Sequence, residues 1–117
     1  EGHTEVARLL LTESGININS KDGAGKTPLS WAAEEGHTEV VRLLLTKSGI
    51  DINSKDDAGN TPLSWAVWNR HTELVRLLLT ESGIDINSKD DAGKTPLSWT
   101  AENGHTEVAE LLLRESG

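Results

Sequence analysis

Apolar and polar positions along this chain follow one pattern that returns at a fixed interval. In TEVVRLLL (38–45), Val40, Leu43 and Leu44, flanked by Val41 and Leu45, form a broad apolar stripe on a helix of 3.6-residue period. TELVRLLL (72–79) and TEVAELLL (106–113) repeat it. Ahead of each runs a shorter segment, PLSWAAEE (28–35) in the first copy. Its proline suits the first helical position, and the hydroxyl of Thr27 can accept from the orphan N–H groups of the first turn. The pattern predicts a helix over 28–35, a Gly-centred turn, a helix over 38–47 and then an extended hairpin. The second helix is apolar over too much of its surface to stand alone. The first is too short, since isolated helices below about 12 residues are marginal. Neighbouring units must cover both.

Histidines at 3, 37, 71 and 105 and the start of TPLSW at 27, 61 and 95 give the interval as 34 residues. Cut at the lysine of SKD, one domain over 1–117 divides into a partial unit (1–20), full units 21–54 and 55–88, and a last partial unit (89–117). Such self-similarity marks an array of stacked supersecondary units. The period is the tetratricopeptide length, but that pattern depends on Tyr and Phe, and this chain has neither. TPLSWA, with Ser30, Ser64 and Ser98 in place of a histidine, the Gly-His before the second helix in GHTEVVRLLL, and the Asn-bearing SGIDINSKD resemble the ankyrin repeat instead. One residue is extra against the usual unit, at Ser48 and Ser82. The resemblance covers the whole chain. It implies an all-α ankyrin-repeat solenoid, helix-turn-helix plus a β-hairpin loop per repeat, that binds other proteins and has no catalytic, cofactor or metal site. The close agreement between repeats, with TPLSWAAEEGHTEV spelling, further resembles the C-terminal ankyrin arrays of fungal NOD-like (STAND) receptors. That resemblance implies a sensor for non-self proteins in an innate-immunity switch.

Composition narrows the chemistry. There is no Cys, Met, Phe or Tyr, so the core must be Leu, Ile, Val, Ala and Trp, and thiol chemistry is closed. The absence of cysteine suits a reducing, cytoplasmic compartment. The formal net charge is −8, spread along the chain, which disfavours nucleic acid and anionic membrane as partners. No apolar run approaches a membrane span. The start at Glu1, in mid-pattern, suggests a piece of something longer.

DGAGKT (22–27) invites a phosphate-loop reading, which requires a glycine five residues before the Gly-Lys-Thr. Ser20 and Ser88 stand there, Asn60 replaces the lysine of the second copy, and Pro28, Pro62 or Pro96 follows each threonine. The segment is a turn and a helix start. The histidines cannot converge on one metal ion, because stacked helices lie about 8–10 Å apart. They are expected to bond turn backbone near the start of the second helix. Ser30 and His37 recur in every unit without the strained elbow of a nucleophile. Trp31, Trp65 and Trp99 share one repeat position and predict a packed ladder, each indole N–H seeking an acceptor. In the resembled family the asparagine of INS (Asn19, Asn53, Asn87) stabilises the turn.

The repeats are best compared with each other. Units 21–54 and 55–88 agree at 26 of 34 positions, and five of the eight differences lie at the hairpin tip or at the end of the first helix and its turn. The resemblance places recognition there, so the candidate protein-binding residues are Gly23, Lys26, Glu34, Glu35, Asp57, Asn60, Trp68, Asn69 and Arg70. The third unit adds Asp91, Lys94, Glu102 and Asn103. Trp and Arg are frequent at interface hot spots, which favours Trp68 and Arg70. A Trp68 folded back over its own repeat is the alternative. Arg70 stands where Gly36 and Gly104 occupy the other units, and a left-handed backbone there would cost roughly 1 kcal/mol. Glu34, Glu35 and Glu102 favour a basic protein ligand. Two other readings remain: a consensus-designed scaffold, and end-to-end self-association through the uncapped apolar flanks of EVARLLL and EVAELLL.

Overall fold

The computed structural model describes residues 18–116, with the side chain of Ser116 excluded. Most of the partial unit 1–20, including His3 and EVARLLL, lies outside the described residues. Three helix pairs follow one another: α1 (Pro28–Glu35) and α2 (Thr38–Leu45), α3 (Pro62–Trp68) and α4 (Thr72–Leu79), α5 (Pro96–Asn103) and α6 (Thr106–Ser116). Helix α1 packs on α3 and α3 on α5, while α2 packs on α4 and α4 on α6, so two parallel helix layers run along the array. No strand occurs among the described residues.

Local chemistry starts each pair as the sequence predicts. Thr27, Thr61 and Thr95 are extended N-caps whose hydroxyls accept from Ser30, Ser64 and Ser98 N–H, and proline opens each helix behind them. The second helix of each full unit ends at Leu45 or Leu79, two residues before the expected Lys47 or its equivalent. Thr46 Oγ1 donates to Leu43 O at 2.6 Å and Thr80 Oγ1 to Leu77 O at 2.6 Å, capturing carbonyls of the last turn.

The expected β-hairpin is a closed turn rather than a ladder. Asp22 Oδ1 accepts from the N–H groups of Ala24 and Lys26, both at 2.9 Å, and Asp22 N–H donates to Lys26 O at 3.0 Å. Asp56 and Asp90 build the same turn. With its backbone bonds satisfied by one aspartate, each turn needs only a single bond to its neighbour: Asp57 N–H to Ala24 O and Asp91 N–H to Ala58 O, both 3.0 Å. Close approach dictates the glycine here. A Cβ on Gly25, whose φ is +79°, would lie 2.5 Å from Asp57 Oδ1.

The core lies between the layers. Leu29, Ala33, Val41 and Leu44 recur as Leu63, Val67, Val75 and Leu78, all essentially inaccessible, and Val108, Leu111 and Leu112 continue the row. Buried aliphatic area supplies the main driving force, at about 25 cal/mol per Å². The asparagines of INS stabilise more than their own turn. Asn19 Nδ2 donates to Gly49 O at 2.8 Å while its Oδ1 accepts from Asp51 N–H at 2.9 Å, and Asn53 does the same to Gly83 O and Asp85 N–H. Lys21 and Lys55 Nζ each donate to the carbonyl of the lysine one repeat on, at 3.0 Å. These clips tie successive repeats edge to edge.

Candidate functional site

The tips and the α1/α3/α5 layer bring nearly all of the candidate residues onto one face. Gly23, Asp57 and Asp91 are exposed at the turn tips, and Glu35, Asn69 and Asn103 at the helix ends. Asn69 and Asn103 Nδ2 donate to Trp65 O at 3.0 Å and Trp99 O at 2.9 Å, closing the ends of α3 and α5. Lys26 and Asn60, by contrast, are buried. They shape the inside of this face rather than its surface.

The tryptophan ladder orders these residues. Trp31 and Trp65 Nε1 donate to Asp22 and Asp56 Oδ2 at 2.6 and 2.8 Å, so each tip aspartate holds its own indole. Two backbone N–H groups and the indole keep the Asp22 carboxyl below its ordinary value, the Lys26 N–H contributing most. Between Trp31 and Trp65 sits the ammonium of Lys26, 4.1 and 3.9 Å from the two ring centres, and it is ion-paired with Glu34. A cation enclosed by two indoles and a carboxylate belongs to the strong end of cation–π contacts.

The next slot is filled differently. Asn60 replaces the lysine and Trp68 the glutamate, and the Trp68 ring stacks on Trp65 at 5.2 Å and meets Trp99 edge-on at 5.3 Å. The pair Lys26–Glu34 and the pair Asn60–Trp68 are thus two ways of lining the space between successive ladder tryptophans. Trp68 both folds back over its repeat and stays 46% exposed. Sequence comparison marked both positions but not their coupling, although their simultaneous change in one unit was the available signal. In the third unit Lys94 pairs with Glu102 at 2.5 Å and lies 5.6 Å from the Trp99 ring. Trp68, Trp99, Asn60, Ser64, Asp90 and Lys94 line an open cleft of about 220 Å³.

Arg70 does occupy a left-handed backbone, with φ +60°, the only non-glycine residue described there. The corresponding Gly36 lies against the imidazole of His71, where a Cβ would meet ring atoms at 2.7–3.0 Å. That ring donates from Nε2 to Glu34 O at 2.9 Å, across the repeat boundary rather than within its own turn. One repeat on, Arg70 Nε donates to His105 Nε2 at 2.6 Å, so this imidazole carries its proton on the buried Nδ1. Desolvation, then the charge of Arg70, hold His105 below the ordinary imidazole value, against the pull of the Val67 carbonyl.

Among the described residues no three His, Asp or Glu side chains gather where a metal could bind, and no helix is long and apolar enough to cross a membrane. The family model for ankyrin repeats, in three copies, matches residues 1–90 and 57–117. No curated protein matches the chain significantly.

Proposed function

Because the chain belongs to the ankyrin repeat family, whose members generally serve in protein–protein interaction, we propose that it recognises a protein ligand through the turn tips and the α1/α3/α5 layer. The observation that carries this reading is Trp68, 46% exposed on the face where the repeats differ, flanked by Asn69 and Arg70. A near-invariant frame holds a few exchangeable side chains, and specificity lies in those side chains. The array works as a binding module, not as an enzyme. Exposed Glu35, Asp57 and Asp91 favour a basic ligand, and such binding weakens with salt. The wider context we infer is the cytoplasmic sensor array of a NOD-like receptor.

The test is affinity capture with the chain and with a Trp68→Ala, Asn69→Ala, Arg70→Gly variant of equal helicity. A protein held by the first and lost by the second supports the reading. Equal capture by both removes the site. A second reading, end-to-end self-association, draws on Leu113, which is 56% exposed on α6. Sedimentation equilibrium over rising concentration tests it, and an unchanged monomer mass excludes it.

A further inference from the structure

We propose that the cleft lined by Trp68, Trp99 and Asp90 seats an arginine side chain of the protein ligand, its guanidinium stacked on indole and hydrogen-bonded to Asp90. This deepens the recognition reading above and rests on it.

The chain itself shows what such a slot accepts. Between Trp31 and Trp65 the occupant is a cation, Lys26, held by two indole faces and the Glu34 carboxylate. One slot along, Asn60 brings no charge, and Trp68 adds an indole face without filling the space, since the cleft remains.

Asp90 supplies the charge. Asp22 and Asp56 each use Oδ1 on the turn and Oδ2 on the indole of their own repeat. Asp90 uses Oδ1 in the same way, accepting from Ala92 and Lys94 N–H, both at 2.9 Å. Its Oδ2 receives no hydrogen bond among the described residues, while the Trp99 ring meets Trp68. The inserted tryptophan thus accompanies a carboxylate oxygen without its indole, on the wall of the cleft. The other charge there, Lys94, is already paired with Glu102 at 2.5 Å. The charge left uncompensated in the cleft is negative.

The chemistry of the lining favours arginine over lysine. A guanidinium is flat, so it can lie against an indole face while its edge N–H groups donate to a carboxylate, and Trp99 and Asp90 share the wall of this cleft. A guanidinium also has donors enough to reach the Asn60 amide oxygen, which a compact ammonium engaged with Asp90 does less readily.

The probe is N-acetylarginine amide, with N-acetylcitrulline amide as its uncharged isostere, titrated against the chain while the four assigned indole N–H resonances are followed by NMR. We expect saturable shifts at Trp68 and Trp99, binding about fivefold or more tighter for arginine than for citrulline, and weakening by added salt. Asp90→Asn keeps an oxygen for the turn but loses the charge, and should weaken binding about threefold or more. The double variant Asn60→Lys, Trp68→Glu restores the filling that the chain already uses at Lys26 and Glu34. It should fold normally and lose the response. Equal response to citrulline, a response unchanged by Asp90→Asn, or one retained by the double variant overturns the proposal.

The recognition reading fails separately. Peptides selected from a random display library that compete at Trp68 but lack arginine would leave recognition standing and overturn the arginine seat. Probe binding in the cleft, with protein capture indifferent to the Trp68, Asn69, Arg70 variant, would do the reverse.

Discussion

Replacing Arg70 with glycine should stabilise the protein, although it removes a hydrogen bond and a side chain. The residue holds φ +60°, a left-handed conformation that costs a non-glycine residue about 1–2 kcal/mol and glycine nothing. Against that relief stands the loss of the 2.6 Å bond from Arg70 Nε to His105 Nε2, worth about 1 kcal/mol for an exposed donor. The loss is recovered in kind. With glycine at position 70 the imidazole of His105 can settle as that of His71 does over Gly36, donating from Nε2 to the carbonyl at the end of the preceding helix. The bonds cancel and the backbone term remains, a gain of about 1 kcal/mol. For a urea slope of about 2 kcal/mol per M, the midpoint of unfolding should rise by about 0.5 M.

The same variant carries a pH signature. In the wild type the folded-state value of His105 lies below the ordinary 6.5. The unfolded chain therefore binds more protons between the two values, and stability is lost as pH falls through 6.5 towards the folded value. Removing the Arg70 charge, the second largest cause of the depression, should narrow that window. Urea midpoints at pH 7.5 and pH 5.5, with the His105 titration followed by NMR, measure both effects. A midpoint that falls at pH 7.5 would show that the Arg70–His105 bond outweighs the strain and refute the reasoning.

Three further outcomes are expected. Lys26→Ala opens the sandwich between Trp31 and Trp65 and unpairs the half-buried Glu34, at a cost of about 2 kcal/mol measurable by thermal melting; a loss below about 0.5 kcal/mol would contradict the enclosed cation–π contact. Asn53→Ala breaks both bonds to the following repeat and should destabilise by about 1–2 kcal/mol, whereas Asn87→Ala, whose side chain makes no such bond among the described residues, should change stability by less than about 0.5 kcal/mol. Asp22 titrates below its ordinary 3.8, so its contribution to stability is present above that value and lost as pH falls through the folded one; the Trp31 indole N–H resonance should move with a midpoint below 3.8, and a midpoint at or above it would remove the bond from its role.

The repeat was legible because its signals are local. Thr27-Pro28 names a helix start wherever it stands, Gly36 names a left-handed helix end, and Leu43 and Leu44 name a buried stripe, so elements, their order and the core followed from the letters. The early end of α2 at Leu45 was not legible, since it depends on which carbonyl the Thr46 hydroxyl captures. The missing hairpin ladder has the same origin, one aspartate taking over the bonds that strands would have made.

At the candidate face the division is different. Comparing units located every position that departs from the pattern, because a near-perfect repeat makes each exception visible. Its letters determined by themselves that Trp68 and Arg70 are exceptions and that Arg70 stands at a glycine position. Only the tertiary structure decided what those exceptions do: that Lys26 is an internal cation, that Trp68 stacks on Trp65 and meets Trp99 where Asn60 brings no cation, and that Arg70 changes which imidazole nitrogen of His105 bears the proton. Backbone conformation and periodic burial are set by neighbours within a few residues, whereas Lys26 over Trp65, Trp68 against Trp99 and Arg70 on His105 join side chains of different repeats, brought together only when the repeats stack.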